Sequence, residues 1–551
     1  MQRFFILFIY VLLAGIMTAQ PKREVRAVWL TTIGGLDWPH GYAQTPSSGE
    51  RQRQQLCHIL DRLQRANINT VLIQTRVRGT TIYPSELEPW DGCLSGIPGK
   101  SPGYNPLRFI IDECHARGME LHAWVVTIPL GKWNKTGCKL LRQRHPALVQ
   151  KIGEDGYMNP ENPQTAHYLA KICDEITRNY DIDGIHLDYI RYPENRKITI
   201  SRNQAREHVT QIVKEIHQVV KRRKPWVKIS CSPIGKADDL SRYSSKGWNA
   251  YTTVCQDATG WLRQGLMDAL FPMMYFKDNN FYPFAIDWKE QSCGRIIAPG
   301  LGIYFMSPKE KNWMLSDITR EMYVLRQIGM GYAYFRSQFF TENTKGIYDF
   351  TAYTFNKYPA LVPAMTWEQR IKPEKPRQMH ITKGTLTWEP PHASHSHNIY
   401  YNVYASTTYP VNVNDARNLI APRLNRTQIN IPSKKGTAKY YYAVCTMDRY
   451  GNESAPLQMR ESVRHTYASA NSGVFPLLTC DGEKLLLPEK GHESDADYII
   501  IESATGVLLT TRPYQGKYTD IRQLQEGVYV LRSLNKKGIS HRLGYFLIKR
   551  H

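Results

Sequence analysis

From Glu24 to about Tyr358, short β-rich runs alternate with segments of helical periodicity, and that alternation leaves few folds open. Val25–Thr31, Val71–Gln74, Met119–Val126 and Gly184–Asp188 read as the first four strands. Val227–Ser232, Ala269–Tyr275, Arg295–Ile303 and Gly331–Phe335 read as the last four. Helices are expected between them: one carrying Leu56, Ile59, Leu60 and Leu63, then Leu107–Arg117, Thr165–Asn179, Asn203–Arg223, Trp248–Gln264 and Lys309–Gln327. Eight such alternations predict an α/β fold, a (β/α)₈ TIM-type barrel with enlarged loops. A doubly wound open sheet would call for a glycine-rich phosphate loop after the first strand. Thr32-Ile33-Gly34-Gly35-Leu36-Asp37-Trp38 stands there, without G-x-G-x-x-G.

Past Lys372-Pro373-Glu374-Lys375-Pro376, a proline and lysine linker, helical periodicity stops. Thr385–Trp388, Ile399–Ala405, Gln428–Ile431 and Tyr440–Thr446 read as strands of an antiparallel sandwich. Through Trp388-Glu389-Pro390-Pro391 and Tyr440–Ser454 this stretch resembles a fibronectin type III module, which implies an architecture and no activity. A last β-rich unit ends in Gly527–Arg532 and Gly544–Arg550. These runs resemble the C-terminal sorting domains of some secreted Bacteroidetes proteins; a further β-sandwich without a sorting role is the alternative. The expected layout is a signal peptide over residues 1–20, a barrel over 21–365, a fibronectin type III-like module over 373–465 and a β-rich domain over 473–551.

The signal peptide is read from Arg3, the apolar run Phe4–Ile16 and the small residues around Thr18-Ala19. It predicts an exported protein: periplasmic, outer-membrane-associated or secreted. The formal charge of +22 could serve nucleic acid, anionic lipid or an acidic polysaccharide, or be a solvated surface. Export argues against nucleic acid. The ten cysteines show no zinc-type spacing, and no metal or cofactor is expected. Cys93 and Cys138, both in loops at one end of the barrel, could form a disulfide.

Reactive side chains of such a barrel sit at the C-terminal ends of its strands, and glycoside hydrolysis usually needs two carboxylates. The sharpest segment is Tyr180–Pro193, in which Asp188 closes the fourth strand. Arg191, three residues on, could pair with Asp188 and hold it ionised, as suits a nucleophile or base; a structural Asp–Arg pair is the alternative. Asp183 precedes the strand at the opposite end of the barrel and reads as structural. The second carboxylate must come from Asp37, Glu86, Glu88, Asp278 or a loop such as Glu154-Asp155; Asp278 and Glu86 are preferred as catalytic partners. Arg76, Trp90, His122, Trp124 and Tyr275, with Asp37 and Arg191, are the candidate substrate-binding residues.

Glu24–Trp29, Tyr83–Trp90, Pro102–Leu107, Glu120–Trp124, Tyr180–Pro193, Gly247–Tyr251 and Gln256-Asp257 together resemble the glycosyl-hydrolase-like 10 family over roughly Arg23 to Tyr358. The resemblance implies a bacterial, exported barrel hydrolase, some members of which cleave peptidoglycan glycan strands stripped of their peptide stems. It places the family's strand-four aspartate on Asp188. Many members carry a second aspartate next, where this chain has Tyr189, and Met158-Asn159-Pro160-Glu161 stands in place of the usual Leu-Asn-Pro-Gly. The expected function is therefore hydrolysis of glycosidic bonds in peptidoglycan or a related acidic surface polysaccharide. A catalytically inactive carbohydrate-binding protein on the same barrel is the alternative.

Overall fold

A computed structural model describes residues 20–243, 247–392, 399–431, 438–464, 475–489 and 496–549. The expected signal peptide lies outside them, apart from its last residue. Eight parallel strands form the barrel wall: β1 (Arg26–Leu30), β2 (Thr70–Val77), β3 (Glu120–Val126), β4 (Gly184–Asp188), β5 (Lys228–Cys231), β6 (Ala269–Leu270), β7 in two pieces (Ile296–Ile297 and Gly300–Leu301) and β8 (Tyr332–Tyr334). Pairing runs in order from β1 to β6. The first piece of β7 pairs with β6, the second with β8, and β8 returns to β1, so the sheet closes. Across the break the ladder continues, with Ala298 N–H donating to Leu270 O at 2.9 Å and Ala333 N–H to Pro299 O at 2.9 Å. The interruption coincides with Pro299, which has no N–H to give a ladder.

The helices start where the sequence gives them caps. In α1 (Pro46–Arg65), α2 (Pro106–Ala116) and α3 (Pro163–Asn179), a Thr45, Asn105 or Asn162 side chain accepts a first-turn N–H and proline takes the first helical position. Ser201 and Gln204 form a reciprocal capping box for α4 (Arg202–Arg223). Each such cap stabilises its helix by about 1 kcal/mol. The expected Trp248–Gln264 helix is instead two short ones, Ala250–Thr253 and Ala258–Arg263. Cys255 between them has φ +55°, a left-handed conformation no helix interior accommodates, and Asp257 starts the second helix by accepting Gly260 N–H. The last expected barrel helix likewise begins later, at Leu315.

Two apolar layers result. One lies between strands and helices and includes Leu56, Leu60, Leu169, Ile185 and Ile229. The other fills the barrel with Trp29, Leu72, Trp124, Phe271 and Ala333. Between β3 and α3 a three-stranded antiparallel sheet, Pro129–Lys132, Val149–Ile152 and Asp155–Met158, rises at the C-terminal end of the barrel.

Beyond the linker, Arg377–Thr382, Thr385–Glu389 and Gln428–Asn430 make one antiparallel sheet. Leu419–Leu424, Ile399–Ser406, Lys439–Asp448 and Leu457–Gln458 make a second, with Val463–Arg464 beside it. Leu386, Trp388, Val403 and Val444 are buried in one cluster shared by the two. A final four-stranded sheet runs Leu508–Pro513, Tyr498–Ser503, Gly527–Leu534, Ser540–Ile548. The sandwich docks on the N-terminal end of the barrel. Its Arg423 and Arg449 reach Asp183, and Arg449 also pairs with Asp181 at 2.8 Å. The last sheet is tied by Arg532 to Asp349 at 3.0 Å. No helix of the described residues is long and apolar enough to cross a membrane. All ten cysteines are free, Cys93 and Cys138 among them, so the bridge the sequence allows is not formed.

Candidate functional site

At the C-terminal end of the barrel lies a cavity of about 500 Å³. Asp188, the last residue of β4, lines it and is almost wholly buried. Three donors fix its carboxylate. Ser232 Oγ, just past β5, donates to Oδ1 at 2.8 Å, and the Tyr189 N–H donates to the same oxygen at 2.8 Å. Trp124 Nε1, from β3, donates to Oδ2 at 3.1 Å. Burial pushes the Asp188 carboxyl above the ordinary aspartate range, against the pull of Arg191 and of the Ser232 and Trp124 hydrogen bonds. A carboxyl held this way has a fixed orientation, and its affinity for a proton exceeds that of a surface aspartate, the two properties a general base requires.

Arg191 does not form the pair with Asp188 that the sequence allows. Its Nη2 donates to Glu194 at 2.6 Å, and its guanidinium stacks 3.9 Å from the centre of the Tyr189 ring. The i,i+3 carboxylate captures the arginine, so its influence on Asp188 is through space.

Aromatic side chains make the cavity's walls: Trp124, Tyr157, Tyr189, Tyr275 and Phe335. The Tyr275 and Phe335 rings lie 5.3 Å apart at 35°, with Tyr304 edge-on to both. Flat apolar faces of this kind suit the axial C–H face of a sugar ring. Trp124 and Tyr275 thus reach the place the sequence assigns them.

Several expected residues do not. Glu86 is largely exposed and points along the outside of the barrel, 3.8 Å from Arg178 near the end of α3. Its loop is pinned there by the Glu175 carboxylate, which accepts Tyr83 OH at 2.9 Å, Ser85 Oγ at 2.7 Å and the Glu86 N–H at 2.7 Å. Asp278 opens an exposed 3₁₀ turn after β6 and is not among the residues lining the cavity. Neither preferred second carboxylate therefore lines the cavity. Arg76 is fully buried, bound to Glu88 through Nε at 2.8 Å and Nη2 at 2.6 Å, with Nη1 on the Thr127 carbonyl at 2.9 Å. The cause is a register shift between Gln74 and Arg76 on β2: Gln74 lines the cavity, and the residue two places on is turned away.

His122 lies lower in the barrel, 3.3 Å from Glu120, which pairs with Lys228. It shares strand parity with Trp124 but not its layer. Trp90 packs against the outer core. Asp37 is buried and stands behind the wall, accepting Thr31 N–H and Oγ at 2.7 Å each and holding the cavity-lining Arg336.

Besides Asp188, the carboxylates lining the cavity are Asp155 and Glu194. Glu194 is committed to Arg191. Asp155 comes from the inserted sheet, 3.4 Å from the exposed Lys132. Asp155, one of the loop acids the sequence offers, is thus the candidate second carboxylate that lines the cavity; Ser232, Tyr157 and Phe335 are the site residues that strand-end reasoning about carboxylates passes over. For Ser232 the sequence carries a signal, since it follows β5 at the level of Asp188. Among the described residues no group of three or more His, Cys, Asp or Glu side chains is placed to hold a metal ion.

A closed parallel barrel with a buried acid at the head of its fourth strand, under an aromatic-walled cavity, defines a TIM-type barrel whose polar site sits at the strand ends. The chain belongs to the Glycosyl hydrolase-like 10 family, whose model matches residues 24–305. It is similar to "Glycosyl hydrolase YngK" of Bacillus subtilis, with 29% identity over 483 residues, 79% of this chain and 93% of that one. It is similar also to "Glycosyl hydrolase DigH" of Escherichia coli, with 29% identity over 294 residues, 47% of this chain and 67% of that one. Among solved structures it is similar to an endo-β-1,4-mannanase from Thermotoga petrophila, at 10% identity and a TM-score of 0.38, covering 80% of this chain and 98% of that one. An α-L-fucosidase from Paenibacillus thiaminolyticus matches at 12% identity and a TM-score of 0.41, covering 61% of this chain and 49% of that one.

Proposed function

We propose that this protein hydrolyses glycosidic bonds in an acidic surface glycan, of which peptidoglycan glycan strands are one. The observation that carries the reading is Asp188: a buried carboxylate, oriented by three donors, lining a sugar-sized aromatic cavity at the catalytic end of a barrel. In this scheme Asp188 is the nucleophile or the base that activates water. Asp155, brought into the cavity's lining by the inserted sheet, is the carboxyl that protonates the leaving oxygen. The aromatic walls hold the sugar rings, and the net charge of +22 raises the local concentration of an anionic polymer.

On this reading the protein is exported, acting in the periplasm, at the outer membrane or outside the cell. The two sheets between Arg377 and Arg464 are read as a fibronectin type III-like module that braces the barrel.

A second reading has one observation in its favour. Tyr189, where the family resemblance implies a second aspartate, lines the cavity in a left-handed conformation, φ +53°, stacked on Arg191. If that aspartate is the reactive one, the barrel binds glycan without cutting it. Reducing-end release from purified glycan strands decides. Release by the wild-type protein that is lost in Asp188→Asn supports the hydrolase; binding without release supports the second reading.

A further inference from the structure

Apart from Asp188, which only neutral donors hold, the charges lining the cavity can be compared one by one. Arg336 is bound to Asp37, Glu194 to Arg191, and Asp155 lies near Lys132. Arg78 lines the same cavity, and no described residue gives its guanidinium an ion pair or a hydrogen bond. A free arginine at a protein surface is ordinary. Arg78 is exposed too, but its backbone and aliphatic stem are held in place.

Its backbone is left-handed, with φ +54°, and Gly79 follows at φ +74°. For a residue with a Cβ that conformation is unfavourable, because the Cβ crowds the following carbonyl oxygen. Backbone strain of this kind persists where surrounding packing imposes it, and it clusters at ligand sites. The packing comes from two glycines of the inserted segment. The stem of Arg78 lies on Gly131, where a Cβ would sit 2.8 Å from Arg78 Cδ and 3.2 Å from Arg78 Cβ. A Cβ on Gly137 would collide with the Arg78 and Gly79 carbonyls. The turn after β2 is thus clamped against the segment that also contributes Asp155.

We propose that Arg78 is a specificity-determining residue: its guanidinium receives the carboxylate of an acidic sugar unit in the strand being cleaved. A guanidinium offers paired, parallel N–H donors that match a carboxylate, and a pre-set side chain loses little freedom on forming both bonds. A neutral sugar hydroxyl supplies no such counter-charge. The proposal rests on the hydrolase reading above and adds to it the chemistry of the substrate and the residue that reads it.

The test compares a carboxylated glycan with the same glycan after chemical reduction of its carboxyls to alcohols. Reducing-end release is measured with the wild type, Arg78→Ala and Arg78→Gly; the glycine variant removes the left-handed strain and so keeps the fold secure. The wild type is expected to lose about 10- to 100-fold in kcat/KM on the reduced glycan, mostly through KM, from the loss of a charge-assisted bidentate contact. Both variants should show the same loss on the carboxylated glycan and no further loss on the reduced one. A wild type indifferent to reduction, or variants equally impaired on both glycans, would overturn the proposal. Failure of the hydrolase reading looks different: no release by the wild type from either glycan. Calorimetric binding of a carboxylated and a reduced oligosaccharide then still reads Arg78, and a preference that Arg78→Ala leaves intact refutes its role.

Discussion

Five residues apart, at the two ends of β4, stand two buried aspartates whose surroundings do opposite things. Asp183, at the N-terminal end, is met by Arg423 and Arg449 from the sandwich, by His115 Nε2 at 2.8 Å and by the Leu121 N–H at 2.9 Å. Burial alone would raise its carboxyl; the Arg423 guanidinium, His115 and Arg449 together hold it well below the usual aspartate range. Asp188, at the C-terminal end, has three neutral donors and no paired cation, and burial keeps it above that range. One end uses a carboxylate as a fastener between domains. The other leaves a carboxylate under-neutralised, which costs stability and raises its affinity for a proton. Burial does not tell the two apart; the presence of a dedicated cation does.

The sharpest way to break this contrast is to remove each charge in turn. Asp188→Asn should lower glycan turnover by roughly 10²- to 10⁴-fold, the range supplied by a positioned base, with the far-ultraviolet spectrum and cooperative unfolding retained. Asp183→Asn should do the reverse. It strands two buried guanidinium groups and should cost about 3–5 kcal/mol in unfolding free energy, measured by denaturant titration, while turnover per folded molecule stays near that of the wild type. The Asp183 contribution has a defined pH window. A depressed carboxyl stabilises the fold fully above the ordinary aspartate value, near 3.9, and the benefit is lost as pH falls through the lower folded value. Wild type and Asp183→Asn should therefore differ most at neutral pH and converge only in strong acid.

Sequence alone made one half of this contrast readable. Hydrophobic alternation located all eight strands, because each strand's neighbours in the barrel are also its neighbours in sequence, and the strand-end rule then picked out Asp188. The acid expected to face it was not readable that way. Glu86 looked close to the mouth in sequence, but Glu175, some ninety residues on, pulls its loop down the outside of the barrel. Asp155 reaches the cavity through an inserted sheet whose pairing no local pattern announces. Arg76 is turned away from the mouth because the register shifts between Gln74 and Arg76, which strand parity does not foresee. Arg423 and Arg449, which define the role of Asp183, lie in another domain altogether. What local periodicity encodes was legible; what long-range side-chain pairing decides was not.

A gentler cut tests the donors rather than the acid. Ser232→Ala removes one hydrogen bond to a charged oxygen, a contact worth about 1.5–3 kcal/mol, so turnover should fall by at least about tenfold. The barrel itself should hold, since the residue ends no strand ladder: the Ser232 N–H still donates to Leu187 O at 3.1 Å. If the alanine variant is as active as the wild type, orientation of Asp188 matters less than its charge.

The smallest expected effect probes through-space influence. If Asp188 acts as a base, activity is present while it is ionised and is lost as pH falls through its folded pKa. Because that pKa is raised, the acid limb of kcat/KM should lie above the ordinary aspartate value. Arg191 pulls the other way without touching Asp188, its direct contact being Glu194. Arg191→Gln should therefore move the acid limb to higher pH and leave the rate on the plateau above it little changed. A limb that stays in place, with a lower plateau, would mean that Arg191 matters for holding Tyr189 and Glu194 at the cavity wall and not for the charge of the base. The contrast between the two ends of β4 would then rest on contact alone.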